Sequence, residues 1–192
     1  MNLRSFGSLV VLISLGFVPI EAHANATAEK KLRNAVDDVI RVAERTSTGP
    51  ELANKLRPVL ERAISFEAMT RRAVGPGWRQ FSSSQRKEAT KLFTTLIIRT
   101  YSNKMTPGEL PDITYLAAQE PAPGRLEIPT TLTYRGSDYV VTYRMERAEG
   151  WKITDILIEG VSLIANYRTQ LDAESKRGGA AAVIASLDKA VN

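Results

Sequence analysis

The stretch Leu126-Glu127-Ile128-Pro129-Thr130-Thr131-Leu132-Thr133-Tyr134, Arg135-Gly136-Ser137-Asp138, Tyr139-Val140-Val141-Thr142-Tyr143-Arg144-Met145 decides the fold. Leu126, Ile128, Thr130, Leu132 and Tyr134 recur at every second residue, as do Tyr139, Val141, Tyr143 and Met145. A period of two marks a strand with one buried face. The segment between the runs is built from turn formers, so the two strands read as antiparallel neighbours joined by a short turn. Pro129 has no N–H to give to a ladder, which predicts an edge or a bulge at that point.

Working outward, Ile113, Tyr115 and Ala117 share one face of a shorter strand that begins at Asp112. Glu149-Gly150 turns into a further strand from Trp151 to Glu159. Strict alternation there sets Ile156 and Ile158 against Trp151, Ile153 and Leu157. The expectation is a twisted antiparallel meander of about four to five strands over residues 112–159.

The flanks follow a different period. Ala28, Leu32, Ala35, Val36, Val39, Ile40 and Ala43 fall at helical spacing, giving a first helix with one apolar stripe. Gly49-Pro50 ends it and opens a second helical segment, in which Pro58 is expected to begin a new turn. Ser65 is placed to cap a short helix that ends at Gly75. Ser82 with Gln85 matches a capping box, and Ala89, Leu92, Phe93, Leu96, Ile97 and Tyr101 follow at spacings of three and four. That helix closes before Pro107-Gly108. Ser162 caps a tail helix carrying Leu163, Ile164, Tyr167 and Leu171, and Gly178-Gly179 separates it from a short last helix. The class is α+β, with helices covering one sheet and the helix Ser82–Met105 as the natural cover. The domain is read as residues 25–192, helical over 28–105, sheet over 112–159 and helical again over 162–191.

Residues 1–24 read as a secretory signal peptide. Arg4 supplies the positive start, Leu9 to Val18 the apolar core, and Ala22-His23-Ala24 the cleavage site. Ten apolar residues are too few to span a bilayer, which takes about 20. Residues 25–192 are therefore expected to be soluble and exported. The 192 residues hold 26 Lys+Arg against 21 Asp+Glu, a single His and no Cys. Loss of the signal removes Arg4, Glu21 and the lone His23, leaving the net charge at +5. A chain with neither Cys nor His has no thiolate nucleophile, no Ser-His-Asp triad, no disulfide and no ordinary zinc or haem site. No run of Lys or Arg exceeds two residues, so the basic balance does not point to nucleic acid.

Candidate chemistry is sparse. Asp37 and Asp38 are adjacent on a helix and so point in different directions. Gly75-Pro76-Gly77 lacks the strand before it and the Lys after it that a phosphate loop needs. Asp155, on the last strand, would act as a general base if burial raised its pKa; the alternative is a partner such as Arg144 or Arg168. No metal site and no cofactor are expected. The sheet's inner face instead mixes aliphatics with Tyr115, Tyr134, Tyr139, Tyr143, Met145 and Trp151. Tyrosines, apolar in body and polar at the tip, suit the wall of a cavity with a wet end. A solid core beneath a helix is the other reading, and pattern alone leaves both open.

Two further segments carry a resemblance. Phe66-Glu67-Ala68-Met69-Thr70-Arg71-Arg72-Ala73-Val74-Gly75, then Trp78 and the helix start Ser84-Gln85-Arg86, form the first. Trp151-Lys152-Ile153-Thr154-Asp155-Ile156, Ile158-Glu159-Gly160-Val161-Ser162-Leu163 and Asn166-Tyr167-Arg168 form the second. In this order and spacing the chain resembles the MlaC / toluene-tolerance auxiliary family of periplasmic phospholipid-binding proteins. It departs from that family's spelling at Ala73-Val74-Gly75-Pro76-Gly77.

The resemblance implies a carrier without catalytic residues, not an enzyme. It implies a cavity for acyl chains, lined here by Phe93, Leu96, Ile97, Tyr101, Tyr115, Leu132, Tyr139, Val141, Tyr143, Trp151 and Ile153. The implied ligand is a phospholipid or, in one branch of the family, a hopanoid. The implied partners are an outer-membrane lipoprotein complex and an inner-membrane ABC transporter with a lipid-binding ring protein. Two rivals remain at this stage. One is an extracytoplasmic enzyme using Asp155, and the other is an interaction module whose groove holds a peptide.

Overall fold

The computed structural model describes residues 20–46, 49–106, 109–148 and 150–192, and of residues 20–24 the backbone alone. Most of the expected signal segment, the Pro107-Gly108 break and Glu149 lie outside the described residues. Helix α1 covers Ile20–Glu44, α2 Pro50–Ala63, α3 Phe66–Val74 and α4 Ser83–Ser102, with a 3-10 turn over Gly75–Gln80 before α4. Strands β1 to β6 follow at Asp112–Tyr115, Gln119–Ala122, Arg125–Tyr134, Ser137–Ala148, Gly150–Ile158 and Val161–Ser162, and α5 covers Leu163–Val191. Among the described residues no helix is long and apolar enough to cross a membrane.

Local chemistry sets the helix ends. Ser65 accepts from the Ala68 N–H at 3.4 Å to start α3. Ser82 and Gln85 exchange both bonds of a capping box at the start of α4. Ser162 accepts from the Ala165 N–H at 3.1 Å to start α5. Pro58, however, does not open a new turn, since α2 runs through it without a break. The proline and Asn54, whose carbonyl loses its helical donor, both lie on the exposed side. The freed carbonyl is therefore on the side open to solvent, while Leu52, Leu56, Val59 and Ala63 hold the helix by its buried side. In α5 the backbone leaves helical geometry at Gly178 and Gly179. The chain bends back there, and Gln170 donates to Ser186 across the bend at 3.2 Å.

The described strands form one six-stranded antiparallel sheet in the order β1-β3-β4-β5-β6, with β2 also pairing β3. The two central strands carry the expected alternation, and Leu126, Ile128, Thr130 and Leu132 stand opposite Met145, Tyr143, Val141 and Tyr139. The β3–β4 turn has positive φ at Arg135 and Gly136, as a two-residue hairpin loop requires. Pro129 sits inside the sheet, not at an edge. Its carbonyl accepts from the Leu116 N–H at 2.9 Å, so its missing N–H faces the break between β1 and β2. The Leu116 carbonyl opposite it thus goes without a ladder donor, and β1 ends one residue short of that pair, at Tyr115. The short β2 and β6 lie beyond the expected four to five strands.

Among the described residues, the buried apolar side chains form one large block and a small second one of Ala43, Leu52 and Leu56 between α1 and α2. Helices α3, α4 and α5 pack together, with Phe93 meeting Tyr167 edge-on at 5.3 Å between ring centres. Leu126, Ile128, Met145, Trp151 and Ile153 join that block from the sheet. The cover over the rest of the inner face is not α4, as the sequence suggests, because α4 spends its apolar stripe on α3 and α5. Helix α1 lies there instead.

Candidate functional site

Between the sheet and α1 is a cavity of about 520 Å³. Leu32, Ala35, Val36, Val39 and Ile40 form its α1 wall. These positions repeat at three and four residues, so one helical stripe faces inward along its length. Leu60 and Ala63 of α2, with Ile64 just after it, close one side. From the sheet come Ile113, Leu132, Tyr134, Tyr139, Val141 and Tyr143, joined by Ile153, Ile156 and Ile158 of β5. Tyr101 near the end of α4, then Lys104, Met105, Glu109, Leu110 and Pro111 after it, complete the lining, and the exposed Lys104 and Glu109 mark its rim.

Of the residues expected to line a cavity, Tyr101, Leu132, Tyr139, Val141, Tyr143 and Ile153 do so. Phe93, Leu96, Ile97, Tyr115 and Trp151 lie outside the lining. Phe93, Ile97 and Trp151 are buried in the solid core, and Leu96 packs against it half-buried. Tyr115 shares the inner face through its pairing with Thr130, but the Arg33 guanidinium of α1 covers its ring at 3.8 Å. Five α1 residues are the part of the wall that the sequence reading assigned to an ordinary buried stripe. The presence of Ala35 among those five is the available signal, because a small side chain leaves space beneath a helix.

Polar groups in the cavity are few and have defined surroundings. Tyr143 is partly buried and stands beside Thr130, whose hydroxyl donates to the Val141 carbonyl at 2.9 Å. Burial pushes the Tyr143 phenol up to about 12, nearby Tyr115 adds to the shift, and Thr130 opposes it. Burial also raises Tyr101, with a smaller push from Tyr167. At the rim the Arg135 guanidinium binds Glu109 and donates to Thr106 Oγ1 at 3.0 Å. The Lys104 ammonium stands 5.2 Å from the centre of the Tyr101 ring. The lining can shelter apolar matter and meet a polar end at one rim. Among the described residues no group of three acids, cysteines or histidines is placed to hold a metal ion.

Asp155 lies on the other face of the sheet. It stands opposite Arg144 on β4, with Arg144 Nη1 at 3.5 Å from its carboxylate. The same carboxylate accepts from the Ser162 hydroxyl at 2.7 Å and from the Ile164 N–H at 3.3 Å. Asp155 therefore joins β5 to the start of α5, and it does not line the cavity.

The family described as MlaC protein matches residues 30–189. Among solved structures, the chain is similar to the phospholipid-binding protein from Ralstonia solanacearum in complex with a phospholipid, at 26% identity and a TM-score of 0.75. That likeness covers 85% of this chain and 96% of the other. No curated protein matches.

Proposed function

The chain belongs to the MlaC family, and from that premise we propose that it carries phospholipid, holding acyl chains between the sheet and α1. The observation that carries this reading is the 520 Å³ apolar space itself. It falls within the range of small-molecule sites, about 300–1,000 Å³. At about 30 Å³ for a group the size of a water molecule, it has room for about 17 such groups, the carbon count of one long tail. The phospholipid-bound neighbour supports the same ligand class.

Such a carrier answers an energetic problem. Each buried methylene is worth about 0.8 kcal/mol, so a sixteen-carbon tail is held in a bilayer by roughly 12 kcal/mol. Unassisted passage through water is correspondingly slow. A wall of Leu, Ile, Val and Tyr replaces the bilayer's contacts at similar free energy, which allows both uptake and release. No bond needs to be made or broken. We place the protein in the periplasm, exported by residues 1–24. There it shuttles lipid between an outer-membrane lipoprotein complex and an inner-membrane ABC transporter with its lipid-binding ring protein.

Native purification followed by lipid extraction and mass spectrometry tests the proposal, together with uptake of a labelled phospholipid by delipidated protein. Co-purified phospholipid and saturable uptake are the expected results. Protein that emerges lipid-free and takes up none overturns it.

A further inference from the structure

We propose, resting on the phospholipid reading, that Lys104 is the residue that receives the phosphate of the bound lipid. Two charged side chains border the cavity, Lys104 and Glu109. Both stand at the rim that the end of α4 and the segment after it build with the β3–β4 hairpin. The rest of the lining is apolar apart from its tyrosines, so a ligand with a charged end must direct that end here.

The two charges are not equivalent. Glu109 is committed, because Arg135 holds its carboxylate and the Tyr134 hydroxyl approaches it at 3.5 Å. Arg135 is fixed in turn by Glu109 and Thr106. This pairing neutralises the one acid that would repel an anion at the rim. Lys104 has no carboxylate partner among the described residues, and its ammonium is steadied only over the Tyr101 ring. What remains at the rim is a single uncompensated positive charge beside an apolar hollow. A phosphodiester joined to an acyl chain is the complementary chemistry.

The residue type adds a consequence. A lysine acts as a point charge on a flexible stem, whereas an arginine fork fixes one geometry. Lys104 should therefore read the phosphate that glycerophospholipids share, not the group beyond it. Its exposed position also avoids burying charge, which keeps the contact modest and the lipid releasable.

The test uses delipidated full-length protein and two probes with the same palmitoyl tail, lyso-phosphatidylglycerol and monopalmitoylglycerol. Lys104→Ala should weaken the phosphate probe by about threefold to tenfold and leave the uncharged probe unchanged. Added salt should reduce the difference between the probes in wild type and not in the variant, and Lys104→Arg should restore most of the affinity. Equal loss of both probes, or no loss of either, overturns the assignment of Lys104 while leaving the lipid reading in place. Failure of wild type to bind either probe overturns the lipid reading and this inference with it.

Discussion

Ile153 and Ile156 both line the cavity although they stand three residues apart on one strand. Strict alternation would turn them to opposite faces. The register explains the departure, since Arg144 pairs with Asp155 but the next residue, Met145, pairs with Ile153. Thr154 is the extra residue of a bulge. The bulge returns Ile153 to the inner face, where it reaches both the cavity and the solid core.

Deleting Thr154 should therefore be tolerated better than deleting a paired residue of the same strand. Without the extra residue, Asp155, Ile153, Lys152 and Trp151 alternate simply, and Trp151 and Ile153 keep their inward places. Deleting Lys152 leaves the bulge and swings Trp151 to the outer face, at a cost of about 1.5–3 kcal/mol of lost burial. Urea titration followed by circular dichroism should show the Lys152 deletion losing far more stability than the Thr154 deletion. The reverse order would contradict the role given to the bulge.

Val140 and Val141 make a matched pair across the sheet. Val141 is 7% exposed and lines the cavity, while Val140 is 46% exposed on the other face. Val141→Arg should strongly reduce phospholipid loading, because a charge enters the tail region. Val140→Arg should load like wild type. Val141→Trp fills the space without charge and separates loss of binding from loss of folding. Native mass spectrometry of each folded variant reads the loading directly, and equal loading of the two arginine variants would reverse the assignment of the faces.

The central hairpin was legible because its alternation is uninterrupted and its turn residues are distinctive. The caps at Ser65, Ser82 and Ser162 were legible for the same local reason. Three features were not. The Thr154 bulge leaves no mark in composition, so Ile153 and Ile156 read as opposed. Pro129 reads as an edge residue because the break between β1 and β2 that accommodates it is a property of the partner strands. The identity of the covering helix depends on which amphipathic stripe is claimed first. The stripe through Phe93 and Ile97 is consumed by α3 and α5, and the stripe through Val36 and Ile40 is left to face the hollow. Periodicity shows that each helix has a buried side, not what that side meets.

Asp155 should behave as a structural residue. Its carboxylate gathers Ser162, Ile164 and Arg144, so Asp155→Ala leaves two donors at the start of α5 without their acceptor. A loss of about 1–3 kcal/mol is expected, with the melting temperature lower by several degrees. Phospholipid loading of the folded variant should be unchanged, because the side chain is on the face away from the cavity. A loading defect at unchanged stability would contradict this placement.

Tyr143 gives the fold a defined response to alkali. Its phenol titrates near 12 in the folded chain against an ordinary value of 10.0, chiefly because burial disfavours the charged form. Below pH 10 both folded and unfolded chains keep the proton, and the residue's stabilising contribution is complete. Between pH 10 and about 12 the unfolded chain ionises first, so stability falls through that interval. The loss assignable to this group is about 2–3 kcal/mol. Tyr101 and Tyr115 are also raised and give a background common to wild type and variant. The difference between wild type and Tyr143→Phe therefore isolates Tyr143. Denaturant unfolding across the alkaline range should show the variant losing less stability than wild type. Parallel curves for the two proteins would mean that the phenol reaches water in the folded state, contrary to its place against Thr130 in the cavity wall.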